Sequence, residues 1–353
     1  MRYLMVSTYP PTHCGIGAYA EQSVAQLRAQ GHVVDVVSPD GQGNVDFAWD
    51  LRGGSKLLRL FPLLRYYDRV VIQYTWAFFY SDPFLRERRW ETLHTTLCFI
   101  LLFLRKRKLE VLAHEIPYLP GRQGWLYKWK WKVAPRIVFH TPSEITRFER
   151  YYRMRLPKSR VEIRAHHAAF QPFSSHTRAN ARRQLGLSHE SLIFLCIGFL
   201  QRHKGFHRAL DAFARADIRH AELYVVGSMR VANKENEGYV SELRNFTSAH
   251  PGTHLIEAFV NNEEFDTWIS AADWVVFPYS EIWSSGVLAR TRLLRRPAII
   301  SAVGGLPDQA DDHDLLFNSD EELIAAFQTA ASRSVASNVA DGDRQISLEL
   351  PST

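Results

Sequence analysis

Short apolar runs separated by longer amphipathic stretches recur along the chain. The first run is Tyr3–Ser7. Behind it, apolar positions at Ala18, Val24, Ala25 and Leu27 line one face of a helix over Ala18–Gln30, which Gly31 closes. Val33–Val37, Arg69–Tyr74, Glu110–His114, Arg136–His140 and Val161–Arg164 read as further strands, the second and third of these separated by a long helical segment. Near-continuous apolar strands alternating with helices predict a parallel sheet covered on both faces.

A polar connector over residues 171–190 interrupts this rhythm, which then restarts. Leu192–Ile197, Glu222–Val226 and His254–Glu257 read as strands, each followed by a helix: Gly205–Ala216, Val240–His250 and Glu263–Ala271. Strands Trp274–Phe277 and Ala298–Ser301 flank a helix-like segment that opens at Ser285-Gly286-Val287. The expected organisation is a doubly wound α/β domain over 1–170, a linker over 171–190, a second such domain over 191–331 and a Ser-, Asp- and Asn-rich tail over 332–353. Ligands in such sheets lie at the carboxyl ends of the strands.

Composition narrows the class. With 353 residues, 46% hydrophobic and 23% charged, the chain can bury two cores and is neither fibrous nor globally disordered. Cys14, Cys98 and Cys196 are too far apart for a disulfide framework or a zinc spacing, so a reducing cytoplasm is expected. Met1-Arg2 leads straight into a strand without a signal-peptide pattern, and no apolar run approaches the ~18 residues of a membrane span. Charge is unevenly shared. Residues 1–170 carry 26 Lys+Arg against 14 Asp+Glu, a net +12, and the remainder carries 17 against 23, a net −6. The basic half suits an anionic partner such as a membrane surface or a phosphorylated acceptor.

Three strand-to-helix junctions hold the candidate chemistry. The first strand runs through Tyr9-Pro10-Pro11-Thr12-His13-Cys14 into Gly15-Ile16-Gly17 at a helix start, where the backbone can approach an anion. A dinucleotide fingerprint would need a third glycine where Ala20 stands and an acidic residue ending the second strand, so an oxidoreductase reading is poorly supported. The second junction, Gly198-Phe199-Leu200-Gln201-Arg202-His203-Lys204-Gly205, puts cations before a helix, suited to a diphosphate. The third is Pro278–Gly305, with the Ser285-Gly286-Val287 helix start. No recognised nucleic-acid module is present, and no nucleic-acid partner is expected.

In this order, over about residues 1–328, these motifs resemble the retaining glycosyltransferases of family four. The subgroup reads Gly-Phe-…-Lys-Gly and Pro-Tyr-…-Ser-Gly-Val-Leu. The resemblance implies the GT-B fold, two Rossmann-like domains facing each other across a cleft, with a nucleoside diphosphate sugar as donor. It implies catalytic roles for His114, near the reacting sugar, for Lys204, on the diphosphate, and for Glu281, as the first carboxylate of a Glu-x7-Glu motif. Gly15, Ile16, Gly17, Arg202, Ser285, Gly286 and Val287 would face the diphosphate, and Gly227, Ser228 and Phe259 the nucleotide base. Ser143 and His166 match further donor-side positions, although Ala165 and His167 replace the usual neighbours of His166. The chain departs from the family at Arg290, which aligns with the second glutamate, the ribose ligand. A guanidinium only donates and cannot accept from two ribose hydroxyls.

The implied reaction moves a hexose, with retention, from a nucleotide diphosphate to a saccharide or lipid-linked acceptor in bacterial envelope or exopolysaccharide assembly. No metal or other cofactor is implied, and Lys204, Arg202 and backbone N–H groups would stabilise the leaving diphosphate. A catalytically inactive homologue serving as a binding subunit is the alternative. Two segments of the basic half bear on the acceptor. The apolar run Leu97–Leu104, between Arg86–Trp90 and Arg105–Lys108, is expected to be a buried helix. The interleaved Trp/Lys segment Trp125–Lys132 is expected to touch a membrane surface peripherally.

Overall fold

The structure, a computed structural model, describes the chain except residues 13, 40–44, 81–88, 105–107, 116–123, 175 and 349–353, and gives the backbone alone for 89, 124–127, 167 and 335–348. It divides into two compact units, Met1–Phe170 and Gln171–Thr353.

The first unit contains β1 (Arg2–Val6), α1 (Gly15–Ala29), β2 (Val33–Ser38), β3 (Phe47–Ala48), α2 (Leu60–Leu63), β4 (Arg69–Tyr74), α3 (Trp76–Phe79) and α4 (Arg89–Phe103). β5 (Leu109–Ala113), α5 (Gly124–Val133), β6 (Arg136–Phe139), α6 (Pro142–Tyr152) and β7 (Val161–Ile163) complete it. Among the described residues its strands form one parallel sheet in the order β3-β2-β1-β4-β5-β6-β7. Leu4, Val6, Val36, Val70, Ile72 and Val111 are fully buried, as strands covered on both faces require. Thr141 and Glu144 start α6 with a reciprocal capping box, and Pro142 occupies its first turn.

The second unit contains α7 (Arg178–Leu185), β8 (Leu192–Ile197), α8 (Phe206–Ala216), β9 (Ala221–Gly227), α9 (Lys234–Ala249), β10 (Thr253–Glu257) and α10 (Asn262–Ala271). β11 (Trp274–Phe277), α11 (Gly286–Leu293), β12 (Ala298–Ser301), α12 (Leu306–Gln309), β13 (Leu315–Phe317) and α13 (Asp320–Leu348) follow. Its strands are parallel in the order β10-β9-β8-β11-β12-β13. That is the doubly wound order whose direction reverses between β8 and β11, and the carboxyl ends of those two strands form the topological switch point.

The connector is more structured than its polarity suggests. Thr177 caps α7 by accepting from Asn180 N, and Gly186 ends the helix at φ 67. Arg182, 1% exposed, donates to the carbonyls of Ala271, Ser188, His189 and Ser191 and to Asp273 Oδ2 at 2.6 Å. Arg182 therefore ties α7 to the body of the second unit. A single buried arginine with five partners leaves no hydrophobic period for the sequence to display. The backbone of α13 likewise continues through 332–348, where no period is visible.

Candidate functional site

In the second unit, β8 ends in a loop that turns at the short helix Arg202–Lys204 and enters α8 through Gly205. Gly205 sits at φ 64, and a Cβ there would lie 2.0 Å from Pro278 O, so only glycine lets this loop meet the end of β11. Ser280 N and Oγ both donate to His203 O, at 2.9 and 3.1 Å, and Arg208 Nη1 donates to Pro278 O at 3.0 Å. These bonds lock the second and third sequence motifs together.

Lys204 emerges at this junction. A Cβ built on Gly198 would lie 2.6 Å from Lys204 Nζ and 3.8 Å from Val287 Cγ2, which brings the ammonium beside the first turn of α11. The ring of Tyr279 is 5.6 Å from the ammonium. Among the described residues Nζ has neither a hydrogen-bond nor a carboxylate partner. Burial, with a smaller contribution from Arg230, lowers its pKa to about 8.

The start of α11 is held rigidly. Ser285 Oγ accepts from Leu288 N at 3.1 Å, and the Gln309 amide grips the Ser285 backbone from both sides, at 2.7 and 3.0 Å. The N–H groups of Gly286 and Val287 lie in the first helical turn, where no intrahelical acceptor exists. With the positive dipole end they form an anion seat next to Lys204. Gly227 and Ser228 extend the rim: Leu200 N donates to Ser228 O and Ala258 N to Gly227 O, each at 2.9 Å. A Cβ on Gly227 would lie 1.9 Å from Gly198 O, so glycine is required for that close approach. Phe259, 52% exposed, follows this rim.

Arg202 and Glu281 lie differently. Arg202 is ion-paired with Glu242 and stacks 4.9 Å from the Tyr239 ring. Such an exposed pair is worth only about 0–1 kcal/mol, so a phosphate could compete for the guanidinium. Glu281 is exposed and makes no hydrogen bond among the described residues. It is close enough to His203 to oppose the lowering of that histidine's pKa, which burial and Lys204 produce.

Arg290 does not address the helix start. It is 7% exposed and reaches sideways from α11 to α10. There it donates to Asp266 Oδ1 at 2.9 and 2.5 Å and to Asn262 Oδ1 and O at 3.0 and 2.7 Å. Asp266 Oδ2 also accepts from Phe173 N at 2.6 Å. Where the family pattern has a ribose carboxylate, this chain has a buried structural cation. Nothing local signals that partnership, because Asp266 and Asn262 belong to another helix.

In the first unit, Gly15-Ile16-Gly17 form the first turn of α1. Gly17 is buried, and a Cβ there would lie 3.5 Å from Thr8, whereas a Cβ on Gly15 would meet nothing within 4 Å. His114, at the end of β5, pairs through Nε2 with Gln73 Oε1. Gln73 Nε2 faces Met5 Sδ at 3.5 Å, which leaves the carbonyl for the histidine. Nε2 therefore carries the proton and Nδ1 keeps its lone pair. His166 stacks on His140 at 4.1 Å, and Tyr19 presents its ring edge-on to His114, His140 and His166 at 5.4, 5.3 and 5.0 Å. His140, outside the sequence-derived set, is thus the hub of a three-histidine cluster. Burial lowers its pKa to about 4, and burial together with His140 holds His114 well below its ordinary value. Ser143 lies in the first turn of α6, its hydroxyl 3.2 Å from Thr141 Oγ1.

The two segments considered for the acceptor exchange roles in part. On α4, Cys98, Phe99, Leu102 and Phe103 are buried, but Trp90, Leu97, Leu101 and the adjoining Leu104 are 80, 49, 49 and 55% exposed. Their spacing puts all four on one face. In the Trp/Lys segment, Trp131 and Lys130 are instead fully buried. Lys130 Nζ donates to Tyr74 and Tyr80 hydroxyls at 2.6 and 2.9 Å inside an aromatic box. Trp129, 44% exposed, and the exposed Lys132, whose Nζ lies 4.1 Å over its ring, keep the surface character expected of this segment. Residues 86–88 and 105–107 lie outside the described residues, as do the side chains of 89 and 125–127. No helix among the described residues is long and apolar enough to cross a membrane.

Residues 191–333 match the family model described as Glycosyl transferases group 1. No curated protein matches the chain in sequence. Among solved structures, sucrose-phosphate synthase from Thermosynechococcus elongatus superposes with a TM-score of 0.64 at 16% identity, covering 99% of this chain and all of that one. Anabaena HepE in complex with UDP and glucose gives 0.60 at 13% identity, over 97% and 99% of the two chains. WaaG, a glycosyltransferase involved in lipopolysaccharide biosynthesis, gives 0.61 at 16%, over 95% and 91%. The shared fold is GT-B, and residues 191–333, within the second unit, match a group 1 glycosyltransferase domain.

Proposed function

We propose that this glycosyltransferase moves a hexose, with retention at the anomeric carbon, from a nucleoside diphosphate to a saccharide or lipid-linked acceptor in bacterial envelope or exopolysaccharide assembly. The observation that carries the reading is Lys204 Nζ, without a hydrogen-bond or carboxylate partner among the described residues and beside the open first turn of α11. A cation, a helix N-terminus and a turn pre-set by Gln309 suit a leaving diphosphate, whose charge grows as the glycosidic bond breaks. The neutral His114, with its Nδ1 lone pair, suits a sugar hydroxyl. Retention, the Ser-Gly-Val-Leu subgroup, a cofactor-free reaction and a cytoplasmic setting rest on the motif resemblance. HepE, solved with UDP and glucose, lends support to a nucleotide-sugar donor. With Arg290 occupied by Asp266, the ribose hydroxyls need other acceptors.

The exposed Trp90, Leu97, Leu101 and Leu104 face supports a peripheral membrane contact through α4, where the basic sequence Arg105–Lys108 adjoins it. A thermal-shift screen with UDP, GDP, ADP and dTDP tests the donor side. One of them should stabilise the wild-type protein and not Lys204→Ala; indifference of the wild type to all four would remove the reading.

A further inference from the structure

The second unit has a cavity of about 620 Å³ at the amino ends of β11 and β12, the opposite sheet edge from Lys204. Arg178, Arg292, Arg295, Arg296 and Arg333 line it, against the carboxylates Asp273 and Asp311. Both carboxylates are already engaged. Asp273 pairs with Arg178 and Arg182 and accepts from Ile193 N, and Asp311 pairs with Arg292 at 3.3 Å. Arg292 also pairs with Asp314. Arg295, Arg296 and Arg333 therefore line the cavity without an ion pair among the described residues; Asp273 acts on Arg296 only at longer range, Arg333 donates to His313 O at 3.4 Å, and Arg296 Nε is buried without a hydrogen-bond acceptor.

The backbone adds an independent observation. α11 ends in a Schellman turn, with Arg296 N donating to Thr291 O at 3.1 Å and Arg295 N to Arg292 O at 3.0 Å. Arg295 occupies its left-handed position at φ 54, where glycine would be unstrained but would bring no charge to the cavity.

We propose that this cavity is a second anion site that binds a small ligand through a phosphate or diphosphate group. Planar guanidinium groups match phosphate oxygens in pairs, and the volume is that of an ordinary small-molecule site. One eight-residue helix, α11, runs from the Lys204 side to this cavity.

The test uses the full-length Lys204→Ala protein, in which the donor seat is disabled, so that its outcome is separate from the donor reading. Calorimetric titration with pyrophosphate and with glucose 6-phosphate measures the soluble form of the ligand, and flotation with phosphatidate-containing vesicles, on the same protein carrying Leu97→Glu and Leu101→Glu to remove the exposed α4 face, measures a lipid headgroup. Binding of either kind should weaken at least about tenfold when Arg295→Gly or Arg296→Gln is added. Arg295→Gly should melt no lower than its parent, so the loss does not reflect unfolding. Soluble binding lost in these variants identifies a free phosphate ester. Vesicle binding alone, lost in the same variants, identifies a phospholipid headgroup. Absence of binding by all probes, or binding that both variants leave intact, overturns the proposal.

Discussion

Lys204 and Arg290 are both cations in the same domain, and their surroundings assign them opposite work. Lys204 has no counter-charge among the described residues and a pKa lowered to about 8, so its ammonium form is present at neutral pH and is lost above that value. Diphosphate binding should therefore weaken as pH rises through 8 and be accompanied by proton uptake there, measurable by titration in buffers of different ionisation enthalpy. Binding that stays flat from pH 7 to 10 would separate Lys204 from the donor. Arg290 is neutralised and enclosed. Arg290→Ala should cost about 3–5 kcal/mol in denaturant unfolding, because it strands Asp266 in the interior. A stable variant with only its donor affinity reduced would instead make Arg290 a ligand residue. His140 gives a third case. Its pKa is about 4 folded and about 6.5 in the unfolded chain, so below pH 6.5 the unfolded state binds more protons. Stability from this group is complete above pH 6.5 and falls as pH drops to 4, by up to about 3 kcal/mol. His140→Phe should flatten that part of the profile. Lys204 was legible because its loop is a contiguous motif, whereas the partners of Arg290 and the stacking of His140 on His166 depend on contacts distant in sequence.

Among the elements, the core strands were legible and the helices around them less so. Arg69–Tyr74, Leu192–Ile197, Trp274–Phe277 and Ala298–Ser301 match the strands read from the pattern, since a strand buried on both faces is an unbroken apolar run. β3 and β13 were missed because strands of two and three residues carry little pattern, although β7, also of three residues, was read. α4 shows a different limit. A run that is apolar all round does not say which face is covered, and here Leu97 and Leu101 are left outside while Phe99 and Phe103 are buried. In α5 the aromatic box around Lys130 hides a charge that composition alone would place at the surface. If the exposed α4 face meets a membrane, Leu97→Glu with Leu101→Glu should strongly weaken co-sedimentation with anionic vesicles and leave turnover of a soluble acceptor near wild type. Undiminished co-sedimentation would move the contact elsewhere.

At the scale of the molecule, two doubly wound sheets explain why the candidate residues gather at strand ends. In the second unit the switch point between β8 and β11 collects Lys204, Gly227 and the start of α11 from three separate segments. The rhythm of the sequence made both sheets legible, but not α7 within the connector, whose stability rests on the many bonds of Arg182. The central claim is that Lys204 and the first turn of α11 support departure of a nucleoside diphosphate. Its most direct measurement is nucleoside diphosphate release from a panel of nucleotide sugars, by wild type and by Lys204→Ala. The account predicts release by the wild type from at least one donor, with kcat/KM falling roughly 10²–10³-fold in the variant. Equal release by both proteins, or none by the wild type from any donor, would contradict it.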